Sequence, residues 1–193
     1  MITNIANLLT LFRILIIPVL VALFFIPGPI ATWSAVVLFV VAAITDFFDG
    51  YFARALNQVS AFGKFLDPIA DKLIVTVTLF LLVAFDRLEG LWIIPALIIL
   101  IREVLIAGLR EFLGPYKVTV PVSKTAKWKT TVQLFAIGFL IAGDHGPDLI
   151  PYSVEIGHYG LLIAMILTVI SGWGYLKVGF KTIQELDQPA GTP

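Results

Sequence analysis

The chain has 193 residues, 59% of them hydrophobic and 13% charged, with a mean hydropathy of +0.99. A soluble domain of this length is near half apolar and about a quarter charged, so a separate soluble domain is excluded and residues 1–193 read as one membrane domain. Thirteen basic and thirteen acidic residues cancel formally, giving no reason to expect a nucleic-acid partner, and the lack of cysteine excludes disulfides and thiol chemistry.

A bilayer core needs about 20 apolar residues per helix, and six blocks meet that need. The first is about Leu8–Ile26. Asn7, Thr10 and Arg13 recur there at three-residue spacing and share one side, either as a polar lining of a binding site or as an N-terminal cap with an orientation anchor. Met1–Thr10 lacks a basic n-region and a cleavage site, so no removable signal peptide is expected. The second block, about Ala31–Arg54, ends on Asp46, Asp49, Gly50 and Ala53, which fall on one narrow stripe at about 100° per residue. The third, about Pro68–Phe85, places Asp67 and Asp71 on one face at its start, with Pro68 suited to the first helical turn. The short connection between these two blocks makes them antiparallel neighbours, so the two acidic stripes converge.

The fourth block, about Leu91–Leu113, carries Arg102 and Glu103 well inside an apolar span, with Arg110 seven residues beyond Glu103 on the same face. They serve either as an ion pair bracing helices or as contacts to a substrate phosphate. A basic run, Lys117, Lys124, Lys127 and Lys129, leads into the fifth block at about Thr125–Ala142. It suits a phosphate pocket or a surface for anionic lipids. The sixth block is about Val154–Val178. Asp144, His145, Asp148 and His158, between and within the last two blocks, fit no metal spacing and read as a solvated loop.

Since every backbone polar group in lipid must be satisfied within its own helix, an all-α bundle of six transmembrane helices follows. Six spans put both termini on one side. That side collects twelve of the thirteen basic residues, leaving Arg87 alone on the other, and the positive-inside rule makes it cytoplasmic.

Four carboxylates brought together would stay largely protonated without cations. Oxygen ligands without His or Cys suit magnesium, manganese or calcium, and a pair of ions bridged by carboxylates is a common device for holding a pyrophosphate. Gly50 and Ala53 leave a strip where a bulky ligand, or a neighbouring helix, can approach the backbone. Arg54 offers a fork of donors to phosphate, or anchors the helix end.

The run Asp46-x2-Asp49-Gly50-x2-Ala53-Arg54-x8-Gly63-x3-Asp67-x3-Asp71 resembles, without departure, the signature of the CDP-alcohol phosphatidyltransferases. The resemblance implies a six-helix fold, a homodimer, and an active site at the cytoplasmic membrane surface. By matching positions, Asp46, Asp49, Asp67 and Asp71 would bind two divalent cations, Mg2+ or Mn2+, with Asp71 also the general base. Gly50, Ala53, Arg54, Ser60 and Gly63 would line the CDP-diacylglycerol site, together with Asn7 and Thr10. Three further segments, from Asn4, Ile101 and Val122, are similar to the bacterial branch of the family that uses glycerol 3-phosphate as acceptor. That branch works in the bacterial inner membrane among its lipids. The acceptor phosphate would then meet Arg110 first, with Arg102, Lys124, Lys127 and Lys129 as further candidates. Other acceptors (inositol phosphate, inositol, serine) are the alternative within the family. A cation-coupled transporter is the alternative outside it, although the acids lie near one surface and no repeated halves are present.

Overall fold

A computed structural model of the chain describes the backbone of residues 5–55, 61–116 and 124–187, with side chains at 7–45, 63, 65–116 and 125–185. Among the described residues six long helices follow one another: α1 Ile5–Phe24, α2 Pro29–Ala55, α3 Ala61–Ala84, α4 Ile93–Leu113, α5 Lys124–Ala142 and α6 Ser153–Asp187. Short 3-10 turns at Gly90–Trp92 and Gly143–His145 precede α4 and follow α5, and no strand occurs among the described residues. Each helix covers one of the six apolar blocks. Among the described residues three stretches, Asn7–Phe24, Gly90–Leu113 and Ser153–Glu185, are long and apolar enough to cross a membrane, and Pro29–Thr45 is a shorter apolar helix.

Two boundaries differ from the sequence reading by more than three residues. Helix α3 begins at Ala61, so Pro68 is its eighth residue and lies inside the helix rather than in its first turn. The apolar pattern starts only near Pro68, whereas the backbone is already helical two turns earlier, and proline removes a single i→i−4 bond there. Helix α6 runs nine residues past Val178, to Asp187. At 1.5 Å per residue its 35 residues reach about 52 Å, well beyond a hydrocarbon core. Hydropathy alone registers only its apolar part.

The chain divides into two compact units: Met1–Ile93 with Leu134–Tyr159, and Ile94–Gln133 with Gly160–Pro193. In the first, α1 packs on both α2 and α3. Ala31, Ala35 and Ala42 of α2 are buried beside Phe39, and Leu20 of α1, Leu82 of α3 and Ile141 of α5 complete that core. Small residues at helical spacing let helix backbones approach closely, which replaces the hydrophobic drive absent in lipid. In the second unit Ile99, Ile106 and Leu113 of α4 are buried, as are Leu161 and Ala164 of α6. The large apolar side chains Leu15, Ile30, Phe80, Val104, Phe135 and Trp173 are exposed instead. A soluble monomer rarely exposes so many large apolar side chains, and a lipid-facing exterior accounts for them.

Candidate functional site

The carboxylate region is built from α1, α2 and α3. Asp46, Asp49, Gly50, Ala53 and Arg54 occupy the last three turns of α2, where the backbone is helical through Ala55, so the four stripe positions keep their shared helical face. Their side chains lie outside the described residues, as do all of Ser60 and the side chain of Lys124. Gly63 is buried near the start of α3. Further along the same helix, Asp67 is half-buried and Asp71 exposed, four residues apart on one face.

Helix α1 supplies the other wall. Asn7, Thr10 and Arg13, the stripe of the sequence reading, are 2%, 0% and 1% exposed. A solvated cap and surface anchor would not be buried in this way. The Thr10 hydroxyl donates to Asp67 Oδ1 at 2.5 Å, which ties α1 to α3 through a charge-assisted bond. Lys72 turns away from this work, since its Nζ donates to the Pro68 carbonyl one turn back at 3.0 Å.

Asp67 and Asp71 offer oxygen donors alone, the chemistry that suits a hard divalent cation. Among the described residues no group of three or more His, Cys, Asp or Glu comes together. That set includes two of the four signature aspartates.

The second unit holds the basic candidates. Glu103 Oε1 of α4 accepts from Arg102 Nη1 at 3.0 Å and from Lys129 Nζ of α5, which is buried. Arg102 Nη2 also donates to Ser171 Oγ of α6 at 3.1 Å. The Arg102 side chain lies across Gly172, where a Cβ would come within 3.1 Å of its Nε. Arg102, Glu103 and Lys129 are therefore joined in a brace across three helices. Lys127 is exposed. Arg110 is exposed too, and its Nη2 donates to the Tyr175 hydroxyl at 2.7 Å. Sequence reasoning missed Ser171 and Tyr175. The signal was present as Thr168, Ser171 and Tyr175, a polar stripe at helical spacing inside an apolar span.

The Arg87 turn lies in the first unit. Helix α3 ends with Asp86 in the left-handed region and with the Arg87 and Asp86 amides bonded back to the Leu82 and Val83 carbonyls. Arg87 Nη1 donates to the Ile141 carbonyl at the end of α5, its guanidinium lies 5.0 Å from the Phe24 ring centroid, and its own carbonyl contacts His158 Nε2 at 3.3 Å. Gly143 has φ +50°, a conformation that favours glycine, and a Cβ there would fall 2.9 Å from Arg87 Nε. Burial lowers the Arg87 pKa, with Asp144 opposing the shift. His145 is 3.8 Å from Asp148, and His158 stacks on Trp92 at 4.6 Å. His158 is thus packed into this turn rather than part of a solvated loop.

Comparison with known proteins bears on these residues. The profile of the CDP-alcohol phosphatidyltransferases matches residues 3–171. A Rickettsia typhi protein named CDP-diacylglycerol–glycerol-3-phosphate 3-phosphatidyltransferase is 49% identical, over 90% of this chain and 96% of its own length. Proteins of the same name from Cereibacter sphaeroides and Bacillus subtilis are 46% and 35% identical, each over 94% of this chain and 98% and 97% of their own lengths.

Proposed function

The chain belongs to the CDP-alcohol phosphatidyltransferase family, and from that premise we propose that it transfers the phosphatidyl group of CDP-diacylglycerol to sn-glycerol 3-phosphate. The products are phosphatidylglycerophosphate and CMP. The observation that carries this reading is identity of up to 49% along nine-tenths of the chain to relatives named for that reaction. The unbroken eight-residue signature from Asp46 to Asp71 stands beside it.

In the proposed reaction a hydroxyl oxygen of glycerol 3-phosphate bonds to the β-phosphorus, the bond to the CMP oxygen breaks, and Asp71 takes the hydroxyl proton. Asp46, Asp49, Asp67 and Asp71 would hold two divalent cations, Mg2+ or Mn2+, which when bound neutralise pyrophosphate charge. Thr10 holds Asp67 in place from α1, and Asn7, Gly50, Ala53, Arg54, Ser60 and Gly63 are assigned to the CDP-diacylglycerol site. Arg110 is assigned to the acceptor phosphate, because an arginine fork matches phosphate oxygens and no carboxylate pairs with it among the described residues. Arg102 and Lys129 rank behind it, being engaged by Glu103, and Lys124 and Lys127 remain as supporting charges. All six helices are assigned to crossings of a bacterial inner membrane, with both termini and the aspartates on the cytoplasmic side, in a homodimer surrounded by lipid.

The test is an acceptor panel. Purified protein with CDP-diacylglycerol and magnesium is offered glycerol 3-phosphate, inositol phosphate, inositol and serine, and the lipid products are read. Phosphatidylglycerophosphate should dominate. A preference for inositol phosphate would overturn the acceptor while leaving the family intact.

A further inference from the structure

Arg102 and Arg110 stand eight residues apart on α4 and are held in different ways. Arg102 meets the Glu103 carboxylate, which it shares with Lys129, and the Ser171 hydroxyl, so its fork is engaged within the protein. Arg110 meets a neutral partner. Its Nη2 donates to the Tyr175 hydroxyl at 2.7 Å, and its central carbon lies 4.9 Å from the Tyr175 ring centroid. A phenol can orient a guanidinium without cancelling its charge.

The two partners also differ in freedom. Tyr175 is 3% exposed and fixed by packing on α6, whereas Arg110 is exposed. An exposed arginine samples many rotamers, and ordering it when a ligand arrives weakens binding. A bond to an immobile hydroxyl removes much of that freedom beforehand. Four residues earlier on α6, Ser171 makes the corresponding contact to Arg102, so one face of α6 holds both arginines of α4.

We propose that Tyr175 is the positioning residue for the acceptor phosphate: it holds the Arg110 fork in place while leaving its positive charge for a phosphomonoester. The proposal rests on the reading of Arg110 as the acceptor contact. It names a residue outside both the aspartate signature and the family match, which ends at residue 171.

The test compares four full-length proteins in mixed micelles: the unaltered chain, Tyr175→Phe, Arg110→Ala and the double variant. Michaelis constants for both substrates are measured with each. Tyr175→Phe keeps the ring and removes the hydroxyl, and should raise the constant for glycerol 3-phosphate roughly fivefold, as loss of one charge-assisted bond implies. The constant for CDP-diacylglycerol, which reports the fold and the nucleotide site, should stay within about twofold on the same grounds. Arg110→Ala should raise the glycerol 3-phosphate constant at least ~10-fold, and the second substitution should add nothing to it. An unchanged glycerol 3-phosphate constant in Tyr175→Phe, with the Arg110→Ala effect intact, would overturn the role of Tyr175 alone. So would equal rises for both substrates, or multiplicative effects in the double variant. No effect of Arg110→Ala would remove the acceptor assignment itself and the proposal with it.

Discussion

The contact between α1 and α3 at Asp67 and the turn around Arg87 both take an ionisable side chain partly out of water, yet they are built to opposite ends. The Arg87 guanidinium is enclosed by the chain itself: the Ile141 carbonyl, the Phe24 ring and the opposing charge of Asp144 surround it. Two left-handed residues, Asp86 and Gly143, shape the backbone around it. Asp67 accepts from the Thr10 hydroxyl and shares its helix face with an exposed Asp71. A charge enclosed by its own chain holds helices together, whereas an exposed carboxylate such as Asp71 is accessible to a ligand. The Glu103 brace belongs to the closed kind.

The largest effect should come from the open region. Asp71→Asn keeps the shape but loses the basic oxygen, and turnover should fall at least ~100-fold, as for other general bases. Full CMP release by a folded Asp71→Asn protein would remove Asp71 from that role. The closed region should respond in stability instead. Arg87→Met loses the cap on α5 and the contact with Phe24, and should lower unfolding free energy by about 2 kcal/mol. Thermal unfolding in detergent measures this, and turnover of the folded fraction should be unchanged. A variant as stable as the parent but slow would put Arg87 among the functional residues. The smallest effect tests the link between α1 and α3. Thr10→Val keeps the volume and removes the hydroxyl, so kcat/KM should drop roughly tenfold, about 1.4 kcal/mol, with little change in unfolding temperature. A large loss of stability with normal kinetics would make Thr10–Asp67 another closed contact.

The helices were legible because lipid forces long apolar blocks, and all six are found in order. The shared helix face of Asp67 and Asp71 was legible from their spacing, and the family resemblance agrees with the family match. What could not be read was long-range pairing. Lys129 and Glu103 are separated by 26 residues, and Arg110 and Tyr175 by 65, so no periodicity links them. The sequence ranked Arg110 ahead of Arg102 and Lys129 but did not show that the latter two share one carboxylate while Arg110 meets a hydroxyl. The start of α3 was hidden for another reason. Its first two turns carry Lys64 and Asp67 among apolar residues, and hydropathy does not distinguish such a stretch from a loop.

The central claim is transfer itself, and CMP release tests it most directly. Purified protein and CDP-diacylglycerol should release CMP only when glycerol 3-phosphate and a divalent cation are both present, with one phosphatidylglycerophosphate formed per CMP. Chelation should stop release, and added magnesium should restore it. CMP release at full rate without glycerol 3-phosphate, or transfer undiminished in excess chelator, would contradict the account.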